Sequence, residues 1–214
     1  MRYDLVIFDN DGVLVDSEPI SNALLASYLT ELGHPTTYAE SLRDYMGAAM
    51  HRVHDLVAER GGKPLPEDFD AEFNRRVFAA FQQELEPVPG IVDVLEKLTA
   101  EGVPYCVASS GGHDRIRVGH LKTGLDEWFE DEWIFSSEDV EKGKPAPDLF
   151  LYAADQMGVA PQNCVVIEDS PLGMQAAQAA GMDVFAFTSM IPQDRLEGAT
   201  AHFSDMGQLL QLLS

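Results

Sequence analysis

Leu5-Val6-Ile7-Phe8-Asp9-Asn10-Asp11-Gly12 is the stretch on which the fold turns. Its four apolar residues fit a strand buried on both faces, and the Asp-Asn-Asp-Gly after them fits the loop into which that strand opens. Runs of the same kind recur along the chain. Val103 to Ala108 ends at Ser109-Ser110-Gly111-Gly112, Cys164 to Ile167 at Glu168-Asp169, and Asp183 to Phe187 at Thr188-Ser189. Helical patterns lie between them, such as Ile91, Val94, Leu95 and Leu98. Alternating strands and helices predict an α/β fold, a doubly wound parallel sheet whose ligands gather at the carboxyl ends of its strands. The polar clusters fall at those ends.

Residues 16–87 break the alternation with helical periodicity throughout, which predicts a helical cap inserted into a core made of residues 1–15 and 88–214. Ser17 with Pro19 starts a helix, Ile20, Leu24, Tyr28 and Leu32 mark its apolar stripe, and Gly33 stops it. Phe69, Phe73, Val77 and Phe81 form a second stripe of period four, read as helix packing. Pro87-Val88-Pro89-Gly90 is the hinge back to the core.

A chain of 214 residues, 45% apolar, is long enough to bury a core of this size. Its first apolar run is too short for a signal peptide or a membrane span, so a soluble, cytoplasmic protein is expected, and a monomer is the separate expectation for its assembly. Fourteen basic against thirty-six acidic side chains give a formal charge of −22, which repels nucleic acid and anionic membranes. The same field repels a phosphorylated ligand unless the site supplies its own positive charge. Cys106 and Cys164, the only cysteines, sit inside apolar runs as small hydrophobes and imply neither a disulfide framework nor a zinc site.

Asp9 and Asp11, two apart at a strand end, point to one side while Asn10 points away. Adjacent carboxylates repel, a cost met either by a bridging hard cation such as Mg²⁺ or by one carboxyl staying protonated and serving as an acid. The four residues alone also fit a solvated turn. Glu168-Asp169 brings two more carboxylates to the same sheet edge, enough with Asp9 and Asp11 for an oxygen-rich Mg²⁺ site. Ser109, Ser110 and Gly111 offer a hydroxyl and backbone N–H groups ahead of a helix, an arrangement suited to a phosphate oxygen and equally to an ordinary cap. Lys144, in the stiff Gly-Lys-Pro-Ala-Pro-Asp turn, is a cation that can anchor phosphate and offset the carboxylates.

In this order and these contexts, Phe8-Asp9-Asn10-Asp11-Gly12-Val13, Val107-Ala108-Ser109, Lys144-Pro145-Ala146-Pro147-Asp148 and Ile167-Glu168-Asp169-Ser170 resemble the four motifs of the haloacid dehalogenase superfamily of phosphohydrolases. The helical insertion resembles its small-cap subclass, which holds β-phosphoglucomutase and sugar-phosphate phosphatases. The resemblance implies a Mg²⁺-dependent phosphatase acting on a small phosphorylated metabolite, a sugar phosphate by default. It implies Asp9 as nucleophile, Asp11 as acid and base and Asp169 as magnesium ligand, with Ser109 and Lys144 holding the phosphoryl group under a closing cap.

A mutase of that subclass would place histidine at Ser21 and a phosphate-gripping arginine at Met50, and the loss of that charge favours a phosphatase. His51, Arg52, Arg75 and Arg76 are the cap's candidates for contact with substrate. The readings from another class are a non-catalytic binding protein, against which the intact Asp9 and Asp11 argue, and a receiver domain, which would have roughly half this length and no helical insert. None of the six histidines lies in a motif; His51 and His54 are spaced to share a metal, though a solvated role is the expectation.

Overall fold

A computed structural model describes residues 2–46, 50–61 and 63–214, and these divide into two compact units, residues 2–16 with 86–214 and residues 17–85. In the first unit six strands form one sheet: β1 (Leu5–Phe8), β2 (Tyr105–Ser109), β3 (Ile134–Ser136), β4 (Cys164–Glu168), β5 (Asp183–Phe187) and β6 (Ala201–Phe203). Their order is β3-β2-β1-β4-β5-β6, and every neighbouring pair is parallel. Parallel strands need crossovers, and α5 (Ile91–Glu101), α6 (His113–Thr123), α7 (Asp148–Gln156), α8 (Pro171–Ala179) and α9 (Met206–Leu213) fall between or after them. This is the α/β class the alternation predicts. β3 and β6 escaped that reading because each has only three residues.

The centre of the sheet is dry: Leu5, Val6, Ile7 and Phe8 have no exposed surface, nor do Val165, Val166 and Ile167 of β4. Each such side chain contributes about 1.5–3 kcal/mol through its burial. Cys106 lies opposite Ile7 and Cys164 opposite Leu5, so β1 separates the two thiols. Two strand spacings of about 4.8 Å exceed disulfide reach.

The second unit contains α1 (Glu18–Glu31), α2 (Tyr38–Asp44), α3 (Met50–Glu59) and α4 (Phe69–Glu84). Phe69, Phe73, Val77 and Phe81 of α4 are all buried, as their spacing predicts. The stripe expected on α1 is rotated. Tyr28 is buried, but Ile20, Leu24 and Leu32 are only half-buried, and Asn22, Leu25, Ala26 and Leu29 line the inner face instead. Asn22 is admitted there because its amide donates to Glu18 while its Oδ1 accepts from the Ser41 hydroxyl at 2.9 Å. The chain leaves and re-enters the first unit along one track: Asp16 N–H donates to the Glu86 carbonyl and Val88 N–H to the Leu14 carbonyl, both at 2.9 Å. Among the described residues no helix is long and apolar enough to cross a membrane.

Candidate active site

β1 has β2 on one side and β4 on the other, so the chain winds away from it in both directions. Open α/β sheets take ligands at the carboxyl ends of strands meeting at such a point. Asp9 follows β1 directly, its N–H donating to the Ile167 carbonyl at 2.9 Å, while Ser109 closes β2 and Glu168 closes β4. Three of the four sequence motifs are thereby placed on three adjacent strand ends. The fourth brings Lys144 in from the segment ahead of α7. Its Nζ donates to Asp9 Oδ1 at 2.6 Å and to Glu168 Oε1 at 2.7 Å, and its side chain is only 3% exposed.

Asp9, Glu168 and Asp169 are all buried, and each offers an oxygen within 4.8 Å of the others. Burial pushes the Asp9 carboxyl up to about 7; Lys144 pulls it back, and the charges of Glu168 and Asp11 add to the rise. Burial works against the ammonium of Lys144, but Asp9 and Glu168 more than offset it and keep that group charged. Glu168 is held at both ends, because its Oε2 accepts from the Ser170 N–H and hydroxyl at 2.8 and 2.9 Å. It occupies the space a Cβ on Gly173 would fill, as Asp169 does for Gly12, whose φ of +82° independently favours glycine. Three hard carboxylate oxygens in a buried group suit Mg²⁺ rather than a soft metal.

Asp11 lies outside that group of three. Its Oδ1 accepts from Arg115 Nη2 at 2.7 Å, an ion pair between β1's loop and α6. Arg115 is the functional candidate the sequence reading missed, and its Cδ lies beside Gly111. Asn10, expected to point away from the two aspartates, has partners of its own. Its carbonyl accepts the N–H groups of Leu14 and Val15 at 2.9 and 3.0 Å, which curls the loop. Its side chain lies between His120 Nε2, 2.9 Å from Oδ1, and Asp11 Oδ2, 3.4 Å from Nδ2.

Burial lowers His120 from 6.5 to about 4, against the opposing charges of Asp126 and Asp11. Between these two values the unfolded chain takes up a proton that the native imidazole refuses, so this group lowers stability as pH falls. The slope is at most about 1.4 kcal/mol per pH unit. Urea unfolding at pH 7 and pH 5 should show it: the loss on acidification should be smaller by about 1–2 kcal/mol in His120→Gln than in the wild type. Equal losses would show that His120 titrates normally.

The Ser109 loop is more committed than its composition implied. Gly111 N–H donates to Ser109 Oγ at 3.0 Å and His113 N–H to Glu138 Oε2 at 3.1 Å, so one N–H of the loop and the first of α6 are already used. The Ser110 and Gly111 carbonyls accept from Ser137 and Ser136 hydroxyls. With its oxygen accepting from Gly111, the Ser109 hydroxyl still has its own proton to donate.

The cap candidates occupy two helices of the second unit. Arg52 pairs with Glu59 at 3.0 Å, Arg75 with Glu72 at 2.7 Å, and Arg76 with Glu72 and Glu31 at 2.8 Å. His51 is exposed at the start of α3, and His54 meets Asp70 at 2.8 Å.

A profile of haloacid dehalogenase-like hydrolases matches residues 6–187. The chain is 32% identical to 6-phosphogluconate phosphatase of Escherichia coli over 187 residues, 87% of this chain and 83% of that protein. It is also 32% identical to hexitol phosphatase A of Escherichia coli, with 92% of this chain and 88% of that one covered. Among solved structures, a conserved haloacid dehalogenase-like protein of unknown function from Agrobacterium tumefaciens superposes with a TM-score of 0.90 at 33% identity. That match covers 99% of this chain and 97% of the other.

Proposed function

The chain belongs to the haloacid dehalogenase-like hydrolase family, and from that premise we propose that it removes phosphate from small phosphorylated metabolites, sugar phosphates foremost, through a phospho-aspartate on Asp9. The observation that carries this reading is the buried Asp9–Lys144–Glu168 cluster, with Asp169 in it and Asp11 beside it at adjacent strand ends. In the first step an Asp9 carboxylate oxygen attacks phosphorus. The O–P bond to Asp9 forms as the ester P–O bond breaks, and Asp11 gives its proton to the departing alkoxide. In the second, water attacks the phosphorus of phospho-Asp9, its proton passes to Asp11, and inorganic phosphate leaves with Asp9 restored. The Arg115 pair is made with the carboxylate form of Asp11, the form that receives the water's proton.

Lys144 and the Ser109 hydroxyl meet the charge on the phosphoryl oxygens and supply the local positive field that a −22 chain otherwise lacks. Asp9 and Asp169 would hold Mg²⁺ with Glu168 as the third carboxylate of the group, and Glu168 also fixes Lys144. When bound, Mg²⁺ neutralises phosphoryl charge. Ser21 and Met50, where a mutase would carry histidine and arginine, support hydrolysis over transfer back to sugar. The purified protein with a panel of sugar phosphates and Mg²⁺ should release inorganic phosphate without accumulating isomerised sugar phosphate. Excess EDTA should silence it. Full turnover in chelator would refute the metal, and faster isomerisation than phosphate release would make it a mutase.

A further inference from the structure

Asp11 is gripped from two sides by one helix. Arg115 of α6 reaches Asp11 Oδ1 directly at 2.7 Å, and His120 of the same helix reaches Oδ2 through Asn10. His120 is 1% exposed and Asn10 2%, so neither polar group has water as an alternative partner. An apolar residue at either position would fill the same interior without needing a partner. From this placement we infer that Asn10 and His120 are positioning residues for proton transfer, holding Asp11 Oδ2 where the leaving group's oxygen departs. The inference rests on the reading of Asp11 as acid and base.

The direction of the hydrogen bonds follows from the network. With Nε2–H donating to Asn10 Oδ1, the Asn10 amide presents its NH₂ to Asp11 Oδ2. The reverse arrangement would aim the amide oxygen at a carboxylate. It would also put the imidazole proton on Nδ1, which is buried with no hydrogen-bond partner. The Nε2–H tautomer leaves there only a bare acceptor, on an imidazole whose centroid lies 5.3 Å from that of the Phe129 ring. Since Oδ1 is engaged by Arg115, Oδ2 is the oxygen that carries the proton in the first half-reaction. The 3.4 Å approach of Nδ2 is a weak contact, and its effect is to restrict rotation of the carboxyl. A misdirected Oδ2 matters most for leaving groups that cannot depart without a proton.

The test compares an alkyl phosphate with p-nitrophenyl phosphate, whose leaving group needs little protonation, in Asn10→Leu, His120→Phe, the double variant and Asp11→Asn. Both single variants should lower the ratio of alkyl to nitrophenyl kcat about tenfold, within the roughly 10²–10⁴ that general acid–base catalysis supplies. KM should stay near the wild-type value, and the double variant should be no worse than either single. Equal loss on both esters, an effect confined to KM, or multiplying losses in the double variant would overturn the inference. If Asp11→Asn lowers the ratio and neither single does, the positioning role fails alone; if Asp11→Asn leaves it unchanged, the reading of Asp11 falls too. A measurement on the unsubstituted protein covers variants that do not fold. Nitrogen-15 spectra of labelled histidine should show His120 neutral at pH 7 with its proton on Nε2, and a proton on Nδ1 would refute the arrangement.

Discussion

Asp9→Asn should fold and melt close to the wild type yet release phosphate at least about 10⁴-fold more slowly, the scale on which nucleophile removal acts. The amide oxygen can still accept from Lys144, whose second partner Glu168 is untouched, so the buried cluster keeps its main contacts. What disappears is the charged oxygen that bonds to phosphorus. Acid-quenched wild type with substrate should carry the added mass of one phosphoryl group on the peptide containing Asp9, and the variant should not. Near-normal turnover in the variant, or a phosphoryl group found elsewhere, would sink the phospho-aspartate reading.

Lys144→Met should do the second-largest damage and should strike stability as well as rate. It leaves Asp9 and Glu168 in the interior without the ammonium that lies 2.6 and 2.7 Å from them, a loss of about 3–5 kcal/mol for a broken buried pair. The pH dependence identifies the cause. The carboxyl of Asp9 is already raised by burial and restrained by Lys144, so without the lysine it rises further. A carboxyl raised in the native state binds protons that the unfolded chain releases, and the wild-type carboxyl is itself protonated below about 7, so the deficit should shrink as pH falls from 9 towards 7. Urea midpoints across that range measure it; a constant deficit would mean that Lys144 matters only for packing over Phe150, 4.8 Å below its Nζ. Turnover should fall by roughly 10²–10³, as for removal of one preorganised donor to the transition state.

Much of this site was legible because the signals are local. An apolar run ending in acids marks β1 and β4 wherever it occurs, and a lysine between glycine and proline needs no tertiary contact to be noticed. Arg115 carries no such mark: it is one arginine in a polar helix, and its partner lies 104 residues earlier. The same holds for His120 and Asn10, 110 residues apart, each unremarkable until α6 lies beside the β1 loop. On α1, periodicity identified a helix but missed its orientation, because Asn22 is buried by virtue of Glu18 and Ser41 rather than its own polarity. The N–H groups around the Ser109 loop looked available in sequence because Glu138, which takes that of His113 at the start of α6, comes from beyond β3.

The position of β1 at the middle of the sheet also sets a timetable for synthesis. One neighbour begins at Tyr105 and the other at Cys164, so when Leu5–Phe8 leaves the ribosome neither side of the strand has been made. At about 5–20 residues per second, translating through β4 takes on the order of ten seconds. For that interval four of the most buried residues in the chain form a bare apolar strand, the kind of segment that chaperones bind and that pairs wrongly with other chains. Ser17–Leu85, by contrast, is a compact unit of its own and is complete before β2 is translated. The order of manufacture is thus the reverse of the order of burial: the helical insert can settle early, while the strand that carries Asp9 waits for β4.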